Sequence, residues 1–176
     1  TFKNNKIISN AEIRFLEGTK FCLENGSALR IMNSEINMEG TLEKPNIFSG
    51  CGDKGGSIIF ENSNINFRNI EISNLNFPNL KMLNLFGGIN IINSKIKGKN
   101  FIVQNSLSED AINFINSTID INNLKLSNIK SDAVDSDFSE FKIGKITCNN
   151  IGNDCLDISY STGSLKNING NDVRDK

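Results

Sequence analysis

The stretch Glu109-Asp110-Ala111-Ile112-Asn113-Phe114-Ile115-Asn116-Ser117 returns 22 residues later as Ser131-Asp132-Ala133-Val134-Asp135-Ser136-Asp137-Phe138-Ser139. After another 22 it returns as Asn153-Asp154-Cys155-Leu156-Asp157-Ile158-Ser159-Tyr160-Ser161. The closing Ser also recurs upstream at Ser94, Ser63 and Ser34, with steps of 23, 31 and 29 residues. A period of this size is the signature of a solenoid, in which each repeat is one turn stacked on the next.

Each turn carries apolar residues at alternate positions. Around Ser117 they are Ile112 and Phe114, then Ile119 and Ile121, then Leu124 and Leu126. Period-two alternation describes strands with one inward face. The fold class expected is all-β: a single-stranded parallel β-helix of coils of about 22 residues, with three short strands per coil. Equivalent strands of successive coils would then run parallel, about 4.8 Å apart. Six coils would make a rod roughly 30–35 Å long on that spacing. Helix fits poorly, because Ile, Asn, Phe and Ser dominate and no 3.6-residue stripe persists. One domain spans 1–176, with irregular opening coils at 1–50 and regular coils at 51–176.

Asn recurs at the corners. Six residues after the anchor Ser stand Gly40, Asn69, Asn100, Asn123, Lys145 and Asn167. This column is expected to adopt the left-handed backbone conformation that Asn and Gly tolerate. Its Asn side chains are expected to hydrogen-bond along the stack. Asn74, Asn105, Asn128, Asn150 and Asp172 form a second corner. Asn33, Asn62, Asn93 and Asn116 form a third, which changes to Phe138 and Tyr160.

The Asn corners and the three quoted phrases resemble the single-stranded right-handed parallel β-helix of the pectate-lyase-like superfamily, and in particular bacterial β-helix repeat regions without an assigned activity. Glu17-Gly18-Thr19 and Gly40-Thr41-Leu42-Glu43-Lys44-Pro45 look like the first coils of such domains. The right hand follows from this resemblance and from the usual hand of parallel crossovers. The resemblance implies that acidic residues on the outer face of the first strand bind Ca²⁺ or act on uronic acid chains. Fold alone does not assign activity.

Asp132, Asp135, Asp137, Asp154 and Asp157 occupy that face in the last coils, as hard-oxygen candidates for a Ca²⁺ site. The competing expectation is that the repeated Asp110, Asp132 and Asp154 accept hydrogen bonds from turn N–H groups. No other cofactor is expected. The chain contains no His, which excludes His-based acid–base and triad chemistry. The Asp, Asn, His and Arg motifs of polygalacturonases and alginate epimerases are missing too. A Ca²⁺-dependent polysaccharide lyase would need a base such as Lys142, Lys145 or Lys130.

The preferred expectation is a non-catalytic scaffold or binding module of a secreted or cell-surface protein, with a polysaccharide or neighbouring protein domains as partner. The lyase-like enzyme, or an inactive relative of one, is the alternative. A net charge of −1, from 19 basic and 20 acidic residues, gives no basic balance for nucleic acid. No apolar run is long enough to span a membrane. Cys22 and Cys51 could pair in an oxidising compartment, whereas Cys148 is expected to be a buried free thiol. Asp175 falls 21 residues after Asp154, where another coil would begin, so the chain is expected to belong to a longer protein.

Overall fold

The computed structural model describes residues 1–52, 54–78 and 85–175. In chain order its strands are β1 (Lys6–Ser9), β2 (Glu12–Phe15), β3 (Lys20–Leu23), β4 (Ala28–Met32), β5 (Glu35–Met38), β6 (Asn46–Gly50), β7 (Ser57–Glu61) and β8 (Asn64–Ser73). They continue as β9 (Gly87–Ile92), β10 (Lys95–Ser106), β11 (Asp110–Ile115), β12 (Thr118–Ile129), β13 (Asp132–Asp137), β14 (Glu140–Ile151), β15 (Asp157–Ser159) and β16 (Thr162–Val173). Among the described residues there is no helix. A seven-stranded sheet runs β1-β4-β7-β9-β11-β13-β15, and a nine-stranded one runs β16-β14-β12-β10-β8-β5-β2 with β3 and β6 beside it. Successive coils pair in parallel, in the register of the repeat: Asn113 beside Asp135, Ile119 beside Phe141, Leu126 beside Cys148. The chain is a parallel β-solenoid of about seven turns.

The second and third expected strands run on as one element in each regular coil. Along β12 the buried positions shift phase at Asn122 and Asn123, two successive exposed residues. The inward positions thereby move from Ile119 and Ile121 to Leu124 and Leu126, and the strand bends without ending. The left-handed assignment of this corner is therefore wrong, because Asn69, Asn100, Asn123 and Asn167 lie inside strands β8, β10, β12 and β16 and none has a positive φ. The ladder there does form: Asn100 donates to Asn69 at 2.6 Å and Asn123 to Asn100 at 3.0 Å.

The left-handed residues are the other two columns. Asn10, Asn33, Asn62, Asn93 and Asn116, then Phe138 and Tyr160, have φ of +47° to +53°. Asn74, Asn105, Asn128, Asn150 and Asp172 have φ of +54° to +57°. In the regular coils the residue after each turns inward: Ser117 after Asn116 and Ile129 after Asn128 are both buried.

The anchor Ser thus enters the core at a corner, where its backbone N–H has no strand partner. A hydroxyl solves this. The N–H of Ala11, Ser34, Ser63, Ser94, Ser117 and Ser139 each donates to the Ser Oγ one coil on, at 2.8–3.1 Å. Each Oγ in turn donates to the carbonyl two residues before it, at 2.6–3.2 Å. The first rung extends the repeat back 23 residues from Ser34 to Ala11.

The core is one apolar column. Leu29, Ile58, Ile89, Ile112 and Val134 stack within one sheet, and Ile36, Ile65, Ile96 and Ile119 within the other. Phe114 and Ile143 are buried as expected. Ile158 takes the inward register above Ser136 but is 43% exposed, and Ile168 is 51% exposed, because β15 and β16 are the outermost described strands of their sheets. Gly98 interrupts an inward column to admit the Phe67 ring, which would lie 2.4 Å from an added Cβ. Phe15, Phe21 and Phe48 fill the lower end, the last two stacked at 4.1 Å.

Two disulfides tie the corners. Cys22–Cys51 joins β3 to the end of β6 across a separation of 29 residues, a loop worth about 3–4 kcal/mol in the chain-entropy account. Cys148 is not a free thiol: it is bonded to Cys155. The two belong to different inward columns that face each other across the left-handed Asn150.

Leu126→Ala should cost about 2–5 kcal/mol in urea unfolding, as a buried Leu in a continuous core does. Ser117→Ala should cost about 1–3 kcal/mol, since the buried Ser94 N–H loses its acceptor. A loss within error for Ser117→Ala would show that the hydroxyl column does not hold the coils in register.

Candidate functional site

The outer face of the seven-stranded sheet changes chemistry as it climbs. Its lower coils carry an ion pair, Arg30 with Glu61, and an apolar patch in which Ile59 and Ala28 are covered by Leu85. Asn90 then accepts from the Gly87 N–H at 3.2 Å and donates to the Gly87 carbonyl at 2.7 Å. One coil up, Asn113 occupies the place of Asn90 and Asp110 that of Gly87. Asn113 Nδ2 donates to Asp110 Oδ2 at 3.1 Å, and Asn113 Oδ1 is buried without a partner among the described residues. One coil further, both positions are acids, Asp135 and Asp132.

Stacking builds a row of carboxylates with little to neutralise it. Asp110 is only 5% exposed. Burial first, then the charge of Asp135, with smaller pushes from Asp132 and Glu109, raises its pKa to about 7 against the Asn113 hydrogen bond. Asp135 rises to about 6, through burial and then the charges of Asp137 and Asp157. Each charged group named here is another carboxylate.

The five Ca²⁺ candidates fall on this one face, but not around one point. Asp135 and Asp157 are vertical neighbours, as are Asp137 and Ser159. Asp132 is occupied: its Oδ1 accepts from the Asp154 N–H at 2.8 Å and from Asn153 Nδ2 at 2.7 Å. That is the turn-capping role a repeated Asp suggests. Among the described residues no three His, Cys, Asp or Glu side chains are grouped to hold a metal ion. Lys142 and Lys145 lie on β14, in the other sheet, while Lys130 lines a separate groove with Glu109, Phe77 and Phe86.

Phe138 and Tyr160 flank the carboxylate row. Their rings are parallel within 3° with centroids 5.1 Å apart, and they are 61% and 85% exposed. Two bulky residues in the left-handed region are strained where Asn would not be. The two rings stack on each other and both remain exposed to solvent. Reading the column as an Asn corner with two replacements misses this pair; the signal is that the two replacements are consecutive and aromatic.

The raised carboxyl groups make stability depend on pH. Both hold their proton more tightly in the folded chain than at the ordinary value of 3.8. The folded state therefore carries the extra protons, and stability is lost as pH rises from about 4 through about 7. Asp110→Asn should raise unfolding stability near pH 8 by an amount on the order of 2–4 kcal/mol, with the gain disappearing toward about pH 4. Parallel pH profiles for variant and parent would contradict the carboxylate stack.

Compared with protein-family models, with curated proteins and with solved structures, the chain matches none of them.

Proposed function

We propose that this chain is a rigid, non-catalytic scaffold and binding module of a secreted or cell-envelope protein, and that its ligand is a carbohydrate. The observation that carries the scaffold reading is the continuous Ser ladder inside, which fixes each coil to the next, with Asn–Asn bonds outside it in the upper coils. The chemistry-bearing side chains follow the same lattice. They form rows along the rod instead of converging on a reacting atom, as an active site needs. Two disulfides support an oxidising compartment.

The carbohydrate reading rests on the upper coils. Phe138 and Tyr160 offer an exposed aromatic stack, and Asp137 and Asp157 are acceptors for sugar hydroxyls beside it. The unneutralised carboxylates favour a neutral glycan over a uronate chain, which they would repel. Titration of neutral oligosaccharides by calorimetry should show binding that Tyr160→Ala weakens about tenfold, the ~1.4 kcal/mol scale of one stacking contact, and that Tyr160→Phe retains. Binding untouched by Tyr160→Ala would remove this surface as the site.

A second reading, the Ca²⁺-dependent lyase-like protein or an inactive relative, is favoured by the two raised carboxyl groups and the partnerless Asn113 Oδ1. Ca²⁺ would supply the missing charge to hard oxygens there. Asp135, Asp137 and Asp157 would have to converge on it, with Asp132 and Asp154 behind them. Millimolar Ca²⁺ should then raise the melting temperature, and Asp137→Asn with Asp157→Asn should abolish the rise. An unchanged melting temperature for the parent chain rules this reading out.

A further inference from the structure

The upper outer face of the seven-stranded sheet is rich in acceptors and short of positive charge. Asp135 and Asp137 stand two residues apart on β13, and Asp157 stands beside Asp135 on β15, in the coil above. Their Cα atoms are about 6.7 Å apart along the strand and about 4.8 Å apart between coils. Among the described residues none of the three has an ion-pair partner. The charges felt by Asp135 are those of other carboxylates, Asp137, Asp157 and Asp132. Below Asp135 in the same row, Asn113 is 5% exposed, and its Oδ1 has no donor among the described residues. Asp157 is exposed and Asp135 and Asp137 are half-buried, so a ligand can reach the triplet from solvent.

The aromatic pair adjoins this row. Phe138 follows Asp137 in the chain, and Tyr160 follows Ser159, the register partner of Asp137. Both rings are exposed, so the face joins an apolar platform to uncompensated negative charge. The column is Asn in the five coils below, and the platform occupies only the two coils that carry the acidic triplet.

We infer, resting on the carbohydrate reading of this face, that the ligand is a glycan bearing free amino groups, with a sugar ring against the Phe138–Tyr160 surface and an ammonium among Asp135, Asp137 and Asp157. An ammonium brings three N–H donors and a positive charge, the two things this row lacks. Neutral sugar hydroxyls supply donors without charge. Repulsion places a uronate below a neutral glycan, and attraction places an amino glycan above both. The exposed rings favour a neighbouring cation as well. A lysine side chain carries the same ammonium, but its flexible stem loses rotamer freedom on binding, which a sugar ring does not.

Calorimetry with three probes at mildly acidic pH, where the amines are charged, tests this. The probes are a glucosamine tetrasaccharide, the same tetrasaccharide N-acetylated, and tetralysine. At low salt the glucosamine form should bind the parent chain about tenfold tighter than the acetylated form, the combined scale of three exposed ion pairs. Added salt should shrink that advantage by screening it. Asp137→Asn with Asp157→Asn removes charge and keeps carbonyl acceptors, so the two sugars should then bind equally; circular dichroism matching the parent's shows that the variant folds. Equal affinities in the parent, with the acetylated form still dependent on Tyr160, would overturn the amino preference and leave the carbohydrate reading standing. An advantage that salt does not reduce, or that survives the double substitution, would overturn it by placing the charge elsewhere. Tetralysine bound as tightly as the glucosamine form would make this a surface for basic peptides instead. Binding of neither sugar would remove the carbohydrate reading together with the inference.

Discussion

The corner before each Ser is the constraint on which the rod depends. A left-handed residue there swings the next side chain into the core and strands its backbone N–H away from any ladder. An unpaired buried N–H costs about 1–3 kcal/mol, and the corner recurs in every coil. The Ser hydroxyl accepts that N–H from the coil below and passes its own hydrogen to a carbonyl of its own coil. The arrangement only works if the coils stand in register, so the hydroxyl column selects register as well as satisfying the core. Ala11 fits the same logic. It has no hydroxyl, yet its N–H reaches Ser34, so the first coil receives a rung and cannot offer one.

A solenoid held in this way turns sequence columns into surface rows. Whatever side chain repeats at one position is placed about 4.8 Å from its copies. For Asn that spacing suits a side-chain amide ladder, and Asn69, Asn100 and Asn123 use it. For Asp it brings like charges together, which adds to burial, the larger cause, in making Asp110 and Asp135 hold protons toward neutral pH. The same repeat therefore generates stability on one side of the chain and electrostatic cost on another. Asp132 shows how part of that cost is offset, since its carboxylate also closes the turn at Asp154.

The columns were legible in the sequence because alternation and period report directly on which side chains face inward, and Phe114, Ile121 and Leu126 are buried accordingly. Corners were less so. Asn at three columns looks alike on paper, yet only two of them have a positive φ; the third bends by shifting the phase of its alternation within a continuous strand. The Cys148–Cys155 bond was missed because each residue was assigned to a column by itself, when the two columns meet across a corner. Of the candidate site, sequence located the acidic face but not its arrangement. A shared face follows from register, whereas convergence on a point depends on side-chain directions that a repeat does not encode.

Phe138 and Tyr160 bear most directly on function, because they break the rule that the rest of their column obeys. Five coils use Asn at this corner, the residue that occupies the left-handed region at least cost. Two aromatic residues accept the strain and remain exposed, so burial does not explain them. Their stack returns some energy, on the order of 0.5–1.5 kcal/mol for an aromatic pair, comparable to the roughly 1–2 kcal/mol that one left-handed residue loses. Stability alone therefore gives little reason to prefer them over Asn. They stand where the outer face is also most acidic, next to Asp137 and Asp157. Strain without burial, at the edge of an electrostatically unusual row, is the pattern of a surface kept for contact with something other than the rod itself.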